Sequence, residues 1–280
     1  MPTIHPSAVI EPGATIAPDA VIGPYCSVSG KAVIGSGTRL ISHVTILNRT
    51  RLGAGNEVFP QAVLGAIPQD LKYHGEDSQL VIGNRNQIRE AVTMHIGTEN
   101  GGGLTQVGDD NLIMVACHVA HDCLLGHRII MANGVGLAGH VVVQDHAVIG
   151  GIVGVHHFVT FGTYSFTGGM SRIVHDVPPY MVCEGNPGQV RGVNVIGLER
   201  AGFAPAAIQH LKEAHRLLWR AAGDAPASVM QRLEQLEASH GGEAHIQELT
   251  VFMRRMAQGI FGRWREAQRA DDRRTGAGAI

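Results

Sequence analysis

The sequence predicts a mainly β protein, a parallel β-helix followed by a C-terminal α-helical domain. The first observation is an unbroken period, because an aliphatic residue stands at every sixth position from Ile4 to Leu64. One hexad provides one short strand and one corner, and a short strand buries its side chain only when copies stack beside it. Three corners are the fewest that close a turn. Three hexads, about 18 residues, are therefore predicted to form one coil of a triangular prism.

The second observation is that this period is interrupted twice and then resumes. It returns from Ile82 to Met94 and, one position out of phase, from Val107 to Val155. The two gaps indicate loop excursions near residues 66–79 and 98–104, the first rich in charged side chains and the second holding three consecutive glycines. A solenoid ejects such insertions from one edge, where they often line a binding surface.

The third observation is a change of period after Pro187. Amphipathic helical patterns cover Ala206 to Ala222, Val229 to Leu236 and Glu243 to Arg269. We therefore expect two domains, a β-helix over residues 1–186 with the two loop excursions, and a helical domain over residues 187–280. The second would close the open end of the prism, as terminal caps do in repeat proteins.

Composition excludes several classes of function. The chain has 280 residues and a formal net charge of −2, which argues against a general nucleic-acid binder. No signal peptide opens it and no run approaches the ~18 apolar residues that span a bilayer, so we expect a cytoplasmic protein without direct membrane insertion. The four cysteines have neither paired metal spacing nor a dense disulfide framework and should be reduced: Cys26, Cys117, Cys123 and Cys183.

The coil length gathers histidines that are distant in sequence. Hexads 18 residues apart share one wall, which places His121, His140 and His156 together. His95 joins them if about seven residues loop out near residue 98. By the same stacking, Gly139 should lie over His121 and His140 over Asp122, with backbones about 4.8 Å apart. His118 falls at the adjoining corner. An imidazole beside a carboxylate suits general base catalysis, and the Gly139 N–H could stabilise an oxyanion.

Several motifs carry a family resemblance. They are the loop from Gln69 to Tyr73, the segment from Ile88 to His95, the glycines 101–103 before Leu104, the run from His118 to Cys123, the pair Gly139 and His140, and the run from Asp176 to Tyr180. With them, nearly the whole chain resembles the UDP-N-acetylglucosamine O-acyltransferases that begin lipid A, and hence lipopolysaccharide, biosynthesis. Known hexapeptide prisms of this kind are left-handed, so the resemblance implies that handedness here.

The resemblance implies an activity and roles for the central residues. The enzyme would move an R-3-hydroxyacyl chain from the phosphopantetheine of acyl carrier protein to the 3-hydroxyl of UDP-N-acetylglucosamine. His121 would be the general base, Asp122 would assist its imidazole, and the Gly139 N–H would stabilise the tetrahedral oxyanion. No metal, cofactor or covalent intermediate would be needed.

The resemblance also implies a set of substrate-binding residues. These are Gln69, Asp70, Lys72, His95, His118, His140, His156, His157, Asn194 and Arg200. His157 stands where the best-known members carry Gln, and Ile196 and Ala201 depart from the family pattern, which leaves the nucleotide contacts there open. The position that measures acyl length falls at Gly169. A Gly floor would admit a longer chain and the neighbouring Met170 could shorten it, so the length stays open.

Partners follow from the same likeness. Members assemble as homotrimers with the cleft between subunits, so the histidine wall would face another chain. Basic residues of the C-terminal segment could dock the acidic carrier protein, because complementary charge speeds encounter: Arg191, Arg200, Lys212, Arg216 and Arg220.

Two other functions compete with acyl transfer. Some hexapeptide prisms hydrate carbon dioxide on zinc held by three histidines, and His118, His121 and His140 could imitate that trio. A non-catalytic binding solenoid is the second. Within the acyltransferase interpretation, the sequence does not separate UDP-N-acetylglucosamine from its 3-amino analogue.

Overall fold

The β-helix consists of short strands that rotate in strict order among three parallel sheets. The computed structural model describes residues 1–220 and 228–259. The first sheet contains Thr3–Ile4, Val21–Ile22, Arg39–Leu40, Glu57–Val58, Gln87–Ile88, Leu112–Ile113, Ile130–Met131, Val148–Ile149, Phe166–Thr167, Met181–Gly185 and Gly188–Val193. The second sheet contains Val9–Ile10, Ser27–Val28, Thr45–Ile46, Val63–Ala66, Thr93–His95, His118–Val119, Gly136–Leu137, Gly154–Val155 and Arg172–Ile173. The third sheet contains Thr15–Ile16, Val33–Ile34, Arg49–Leu52, Gln79–Ile82, Leu104–Val107, Leu124–Leu125, Val142–Val143 and Thr160–Phe161.

The pairing register confirms three hexads per coil. Val119 pairs with Leu137, and Leu137 pairs with Val155, so each step along the second sheet covers 18 residues. Thr93 instead pairs with His118, 25 residues later, because the chain leaves the wall between Ile96 and Leu104. A longer excursion separates Ala66 from Gln79. Both loops leave the prism while the strands on either side keep their stacking.

The prism interior is a continuous column of aliphatic side chains closed at one corner by stacked amides. From Ile22 onward the repeating aliphatic positions are almost fully buried, with Leu40, Val58 and Ile88 each 0% exposed. At one corner, the buried Asn86 side chain donates to Asn56 Oδ1 at 3.0 Å, and its own Oδ1 accepts from Asn111 Nδ2 at 2.9 Å. The coils that carry Asn56, Asn86 and Asn111 are thereby hydrogen-bonded to one another by side chains as well as by backbone.

Sharp corners give the site residues an uncommon backbone conformation. The third residue after the buried aliphatic often has positive φ, including Asp122 at 60° and His140 at 64°. Elsewhere the corner needs glycine because the neighbouring coil is too close. A Cβ at Gly53 would lie 2.6 Å from the carbonyl oxygen of Gly83.

The end of the prism contains elements that the sequence pattern did not predict. Met181–Gly185 and Gly188–Val193 pair antiparallel, and a short helix, α1, follows at Val195–Arg200. The expected division at 186/187 falls in the turn of this hairpin, and as a domain boundary it stays a prediction.

The remaining helices follow the sequence pattern with shifted ends. Helix α2 spans Pro205–His215 and continues as a π-helical turn over Arg216–Arg220, α3 spans Val229–His240, and α4 spans Ala244–Ala257. The first predicted helix thus begins at Pro205, and its end at Ala222 lies outside the described residues. The second runs past Leu236. The part of the third beyond residue 259 also lies outside them.

The helices pack on one another and on the last coil. Leu211, Leu233 and Leu249 are each 0% exposed within a shared core that includes Tyr180 and Met181 of the hairpin region. The Tyr180 hydroxyl donates to the Glu248 carboxylate, which ties α4 to the prism. Across residues 1–220 and 228–259, no helix is both long and apolar enough to cross a membrane.

Candidate active site

A pocket of about 580 Å³ opens on the second sheet, where the sequence placed its histidines. Its lining includes four imidazoles, those of His95, His118, His121 and His156. The fourth member of the expected column, His140, lies behind this lining. It is 9% exposed, and its ring stacks on that of Phe158 with centroids 4.4 Å apart. Coil stacking therefore gathers the histidines, and His140 lies beside His121 and Asp122, with its ring centroid 5.1 Å from that of His121 and its Nε2 3.8 Å from Asp122 Oδ2.

His121 is fixed by a buried carboxylate. Its Nδ1 lies 2.8 Å from Asp122 Oδ2, and the Asp122 side chain is only 1% exposed. Thr98 holds the other side of this carboxylate, donating from its N–H to Oδ1 at 2.8 Å and from its hydroxyl to Oδ2 at 2.6 Å. Since an ionised carboxylate only accepts, Nδ1 carries the proton and Nε2 of His121 is left as an acceptor.

The second loop excursion packs against the Asp122 carboxylate. A Cβ at Gly101 would lie 2.0 Å from Asp122 Cγ, so the loop backbone packs directly on it. Burial by itself would raise the pKa of Asp122, but hydrogen bonds from His121 and Thr98 outweigh it and hold that pKa below its usual value. Sequence reasoning missed Thr98. Its position at the start of an insertion that leaves the histidine wall was the available signal.

Gly139 lies against the His121 imidazole. A Cβ there would be 2.5 Å from His121 Cε1 and 2.7 Å from Nε2, so no side chain fits without moving the ring. Among the hydrogen bonds of residues 1–220 and 228–259, none uses the Gly139 N–H. A backbone donor is thus available in the pocket beside the Nε2 acceptor, where it could hydrogen-bond the oxygen of a reacting carbonyl group.

The two neighbouring imidazoles are neutral at pH 7. Burial, together with proximity to His118 and His121, lowers the pKa of His95 to about 4. The pKa of His118 is lowered too, chiefly by burial and then by His121. His118 Nδ1 is 2.8 Å from the Thr93 hydroxyl, whereas His95 Nδ1 is buried without a hydrogen-bond partner in the described part of the chain. This side of the pocket offers polar atoms without adding positive charge.

The first loop excursion reaches the pocket from the other side. Gln69 lines it, and Asp70 Oδ2 lies 3.9 Å from His121 Nε2. The Lys72 N–H donates to Asp70 Oδ1 at 3.0 Å, which fixes the aspartate side chain. Arg172, an exposed cation that the sequence reasoning did not select, also lines the pocket.

The remaining predicted residues lie outside this lining. Asn194 is the N-cap of α1: its side chain accepts from the Gly197 N–H at 3.2 Å and donates to the Tyr164 carbonyl at 2.9 Å. Arg200 is exposed in the last turn of α1. The His157 ring centroid is 3.9 Å from that of His156.

The predicted acyl-length positions, Gly169 and Met170, form the corner before strand Arg172–Ile173. The strand itself lines one end of the pocket. Gly169 is exposed, and Met170 is 78% exposed with φ of 60°. Neither residue is part of the pocket lining, so their length-measuring role stays a prediction.

The donor atoms expected for a three-histidine zinc centre are arranged differently. Candidate ligand atoms of His121, Asp122 and His140 lie within 4.8 Å of one another, and His118 is not part of any such group in the described residues. Asp122 Oδ2 already accepts hydrogen bonds from His121 and Thr98. The chemistry that the site supports most directly is proton abstraction by His121 beside a backbone donor.

Comparisons with known proteins agree with this geometry. A signature described as domain 2 of UDP N-acetylglucosamine O-acyltransferase matches residues 176–261, and one described as bacterial transferase hexapeptide (six repeats) matches residues 1–36. The acyl-[acyl-carrier-protein]–UDP-N-acetylglucosamine O-acyltransferase of Verminephrobacter eiseniae is 47% identical over 93% of this chain and 99% of its own length.

Solved structures give the same result. The UDP-N-acetylglucosamine O-acyltransferase (LpxA) of Moraxella catarrhalis is 43% identical with a TM-score of 0.84, over 88% of this chain and 95% of that one. LpxA of Bacteroides fragilis, a UDP-N-acetylglucosamine acyltransferase, is 37% identical with a TM-score of 0.87, over 90% and 97%. These likenesses confirm the left-handed β-helix and the family resemblance. The chain belongs to the UDP-N-acetylglucosamine O-acyltransferase family.

Proposed function

We propose that the chain transfers an R-3-hydroxyacyl group from acyl carrier protein to the 3-hydroxyl of UDP-N-acetylglucosamine, with His121 as general base. The names of the relatives supply the two substrates. The observation that carries the proposal is the His121 imidazole, fixed at Nδ1 by Asp122 and packed so close to Gly139 that no side chain fits there.

The first step is attack on the thioester. His121 Nε2 accepts the proton of the sugar 3-hydroxyl as that oxygen adds to the thioester carbonyl carbon. Asp122 stabilises the imidazolium that results, because its carboxylate is ionised and 2.8 Å from Nδ1. Neutral His95 and His118 impose no positive charge that would oppose protonation of His121.

The second step is collapse of the tetrahedral intermediate. Its oxyanion accepts a hydrogen bond from the Gly139 N–H, a donor that needs no reorganisation because the coil backbone holds it. When the carbon–sulfur bond breaks, the leaving thiolate of the phosphopantetheine takes the proton from His121. The products are the sugar ester and the free thiol, and the base is regenerated without a covalent enzyme intermediate.

Substrate binding is proposed to use both sides of the pocket. Gln69, Asp70 and Arg172 stand at the rim, where polar and cationic groups suit a sugar nucleotide, and His156 lines the same cavity. Contacts by Lys72, His140, His157, Asn194 and Arg200 stay predictions, as do the length-measuring role of Gly169 and Met170, the homotrimer and the cytoplasmic location.

Replacement of the base tests the mechanism. In His121→Ala, kcat should fall by about 10²- to 10⁴-fold because general base catalysis contributes that much, with the oligomer and thermal unfolding unchanged. His127→Ala is the matched control, since His127 is an exposed imidazole, 53% accessible, beside Asp109. Turnover retained in His121→Ala would show that another group acts as the base, whereas absence of turnover in the unsubstituted protein would favour the binding-solenoid interpretation.

Substrate choice is tested separately. The enzyme is incubated with UDP-N-acetylglucosamine or its 3-amino analogue and with a panel of hydroxyacyl carrier proteins of different chain length. The products are weighed by mass spectrometry. Exclusive acylation of the 3-amino analogue would contradict the O-acyl product while leaving the roles of His121 and Gly139 intact.

A further inference from the structure

A second group of histidines lies in the helical domain, outside the pocket just described. Three imidazoles and two carboxylates come together from α2, from the end of α3 and from the first residues of α4: His210, His240, His245, Glu213 and Glu243. The rings of His210 and His245 are nearly parallel, 10° apart in plane with centroids separated by 6.0 Å. The acyl-transfer mechanism uses none of these groups.

Polar atoms in this cluster face one another across gaps that are too wide for hydrogen bonds. His210 Nδ1 is 3.8 Å from Glu243 Oε1, and His245 Nδ1 is 4.0 Å from Glu243 Oε2. His210 Nδ1, which faces Glu243, is buried with no hydrogen-bond partner among the residues that the structure describes, and so is His245 Nε2, the ring nitrogen other than the one nearest Glu243. The His245 side chain is only 10% exposed. Buried, unpaired nitrogen atoms are costly in a native protein, so their presence requires an explanation.

The Glu243 carboxylate faces the imidazoles of both His210 and His245, where it could share a bound ion with them. Glu243 is the N-cap residue of α4, yet its side chain makes no capping hydrogen bond. Instead, each carboxylate oxygen faces a different imidazole. The Glu243 side chain is 48% exposed, so a ligand can enter from solvent on that side.

We propose that His210, Glu243 and His245 form a binding site for a divalent transition-metal ion of the zinc type. One candidate ligand atom from each residue lies within 4.8 Å of the others. Zinc–nitrogen and zinc–oxygen bonds of about 2.0–2.1 Å in a tetrahedron separate ligand atoms by about 3.4 Å. The candidate ligand atoms, up to 4.8 Å apart, would therefore have to move together by as much as about 1.4 Å, through rotation of the side chains.

The donor set favours zinc over the hard cations. Two imidazoles and one carboxylate suit zinc and its neighbours, whereas calcium and magnesium require oxygen donors. Three protein ligands leave a fourth position for water on the exposed side of Glu243.

The fourth and fifth members of the cluster complete its surroundings. His240 Nε2 is 3.3 Å from Glu213 Oε2, and the His240 ring centroid is 4.7 Å from that of His210. An adjacent carboxylate and imidazole of this kind orient ligands around many metal centres. A bound ion would link α2 directly to the start of α4.

Zinc binding by the full-length protein tests the proposal. Chelator-treated enzyme is titrated with Zn²⁺ by calorimetry, and Co²⁺ is used as a spectroscopic probe of tetrahedral nitrogen and oxygen coordination. We expect a zinc-binding event in the unsubstituted protein that His245→Asn and Glu243→Gln each weaken by more than about tenfold. The melting temperature should rise with zinc in the unsubstituted protein and rise much less in both variants.

Two comparisons keep the result specific. His127→Asn removes an exposed imidazole beside Asp109 and should leave zinc binding unchanged. Because the group of His121, Asp122 and His140 could also attract zinc, the decisive readout is the difference between the proteins with and without the helical ligands. Equal zinc affinity, stoichiometry and Co²⁺ spectra in the unsubstituted protein, His245→Asn and Glu243→Gln would overturn the proposal. Glu243→Gln alters a half-exposed side chain, so this test does not depend on the folding of a core variant.

Discussion

Adding one methyl group at Gly139 is the sharpest test of the proposed site. The backbone φ of Gly139 is not in the left-handed region, so alanine can adopt it, and the conflict is confined to the 2.5 Å contact with His121 Cε1. Real Cβ atoms do not approach a ring carbon that closely. His121 must therefore move by about 1 Å, and the 2.8 Å hydrogen bond from its Nδ1 to Asp122 cannot follow without distortion.

The size of the effect follows from displacement of the base. A shift of a catalytic group by about 1 Å can cost about 10²-fold in rate. Alanine keeps the backbone N–H of residue 139, so the oxyanion donor is retained. In Gly139→Ala, kcat should therefore fall by about 10²-fold.

The assay is steady-state acyl transfer with varied sugar nucleotide, which separates kcat from KM. Gly136→Ala provides the matched comparison, because Gly136 lines the same pocket and a Cβ there meets no atom within 4 Å. Its methyl group occupies open pocket space and should change KM more than kcat. If Gly139→Ala kept kcat within a few-fold of the unsubstituted enzyme, the close approach of residue 139 to the His121 ring could not be what positions the base.

Three further predictions concern the surroundings of the site and the core. Thr98→Val removes the 2.6 Å hydrogen bond to Asp122; the pKa of Asp122 should rise, so the acid limb of the kcat/KM profile should move to higher pH. His95 takes up its proton near pH 6.5 when unfolded but only at about 4 when folded, so the free energy of unfolding should decline by up to about 3 kcal/mol as the pH falls through this window. Urea unfolding at fixed protein concentration should show a shallower decline in His95→Asn, and equal slopes would contradict the assignment. Asn86→Ala should lower the free energy of unfolding by about 3 kcal/mol, because buried partners at 2.9–3.0 Å lose their hydrogen bonds; an unchanged urea midpoint would argue against the amide ladder.

Much of the site could be placed from the sequence because a solenoid converts sequence distance into spatial position. A fixed coil length means that residues 18 apart are neighbours, so His121, Gly139 and Asp122 could be related to one another by counting. The family motifs then suggested which of these neighbours act in catalysis. Roles taken from the motifs alone, such as those of Asn194 and Arg200, could not be given geometry in this way.

Some features could not be reached by counting. His140 occupies the counted position, yet its ring turns to stack on Phe158 and leaves the pocket lining. Thr98 binds Asp122 from an insertion, where no repeat relates the loop to the wall beneath it. The hairpin that ends the prism and the helix Val195–Arg200 also lie where the six-residue pattern has stopped.

The sequence by itself determined the coil, the wall that carries the histidines and the family, because hexad spacing and local motifs are properties of the chain read in order. Only the tertiary structure decided which imidazoles are exposed to the pocket, which carboxylate is buried and held by Thr98, and which histidines of separate helices meet around Glu243. These depend on side-chain rotation and on packing between segments with no common period, and such contacts form only when the whole chain has folded.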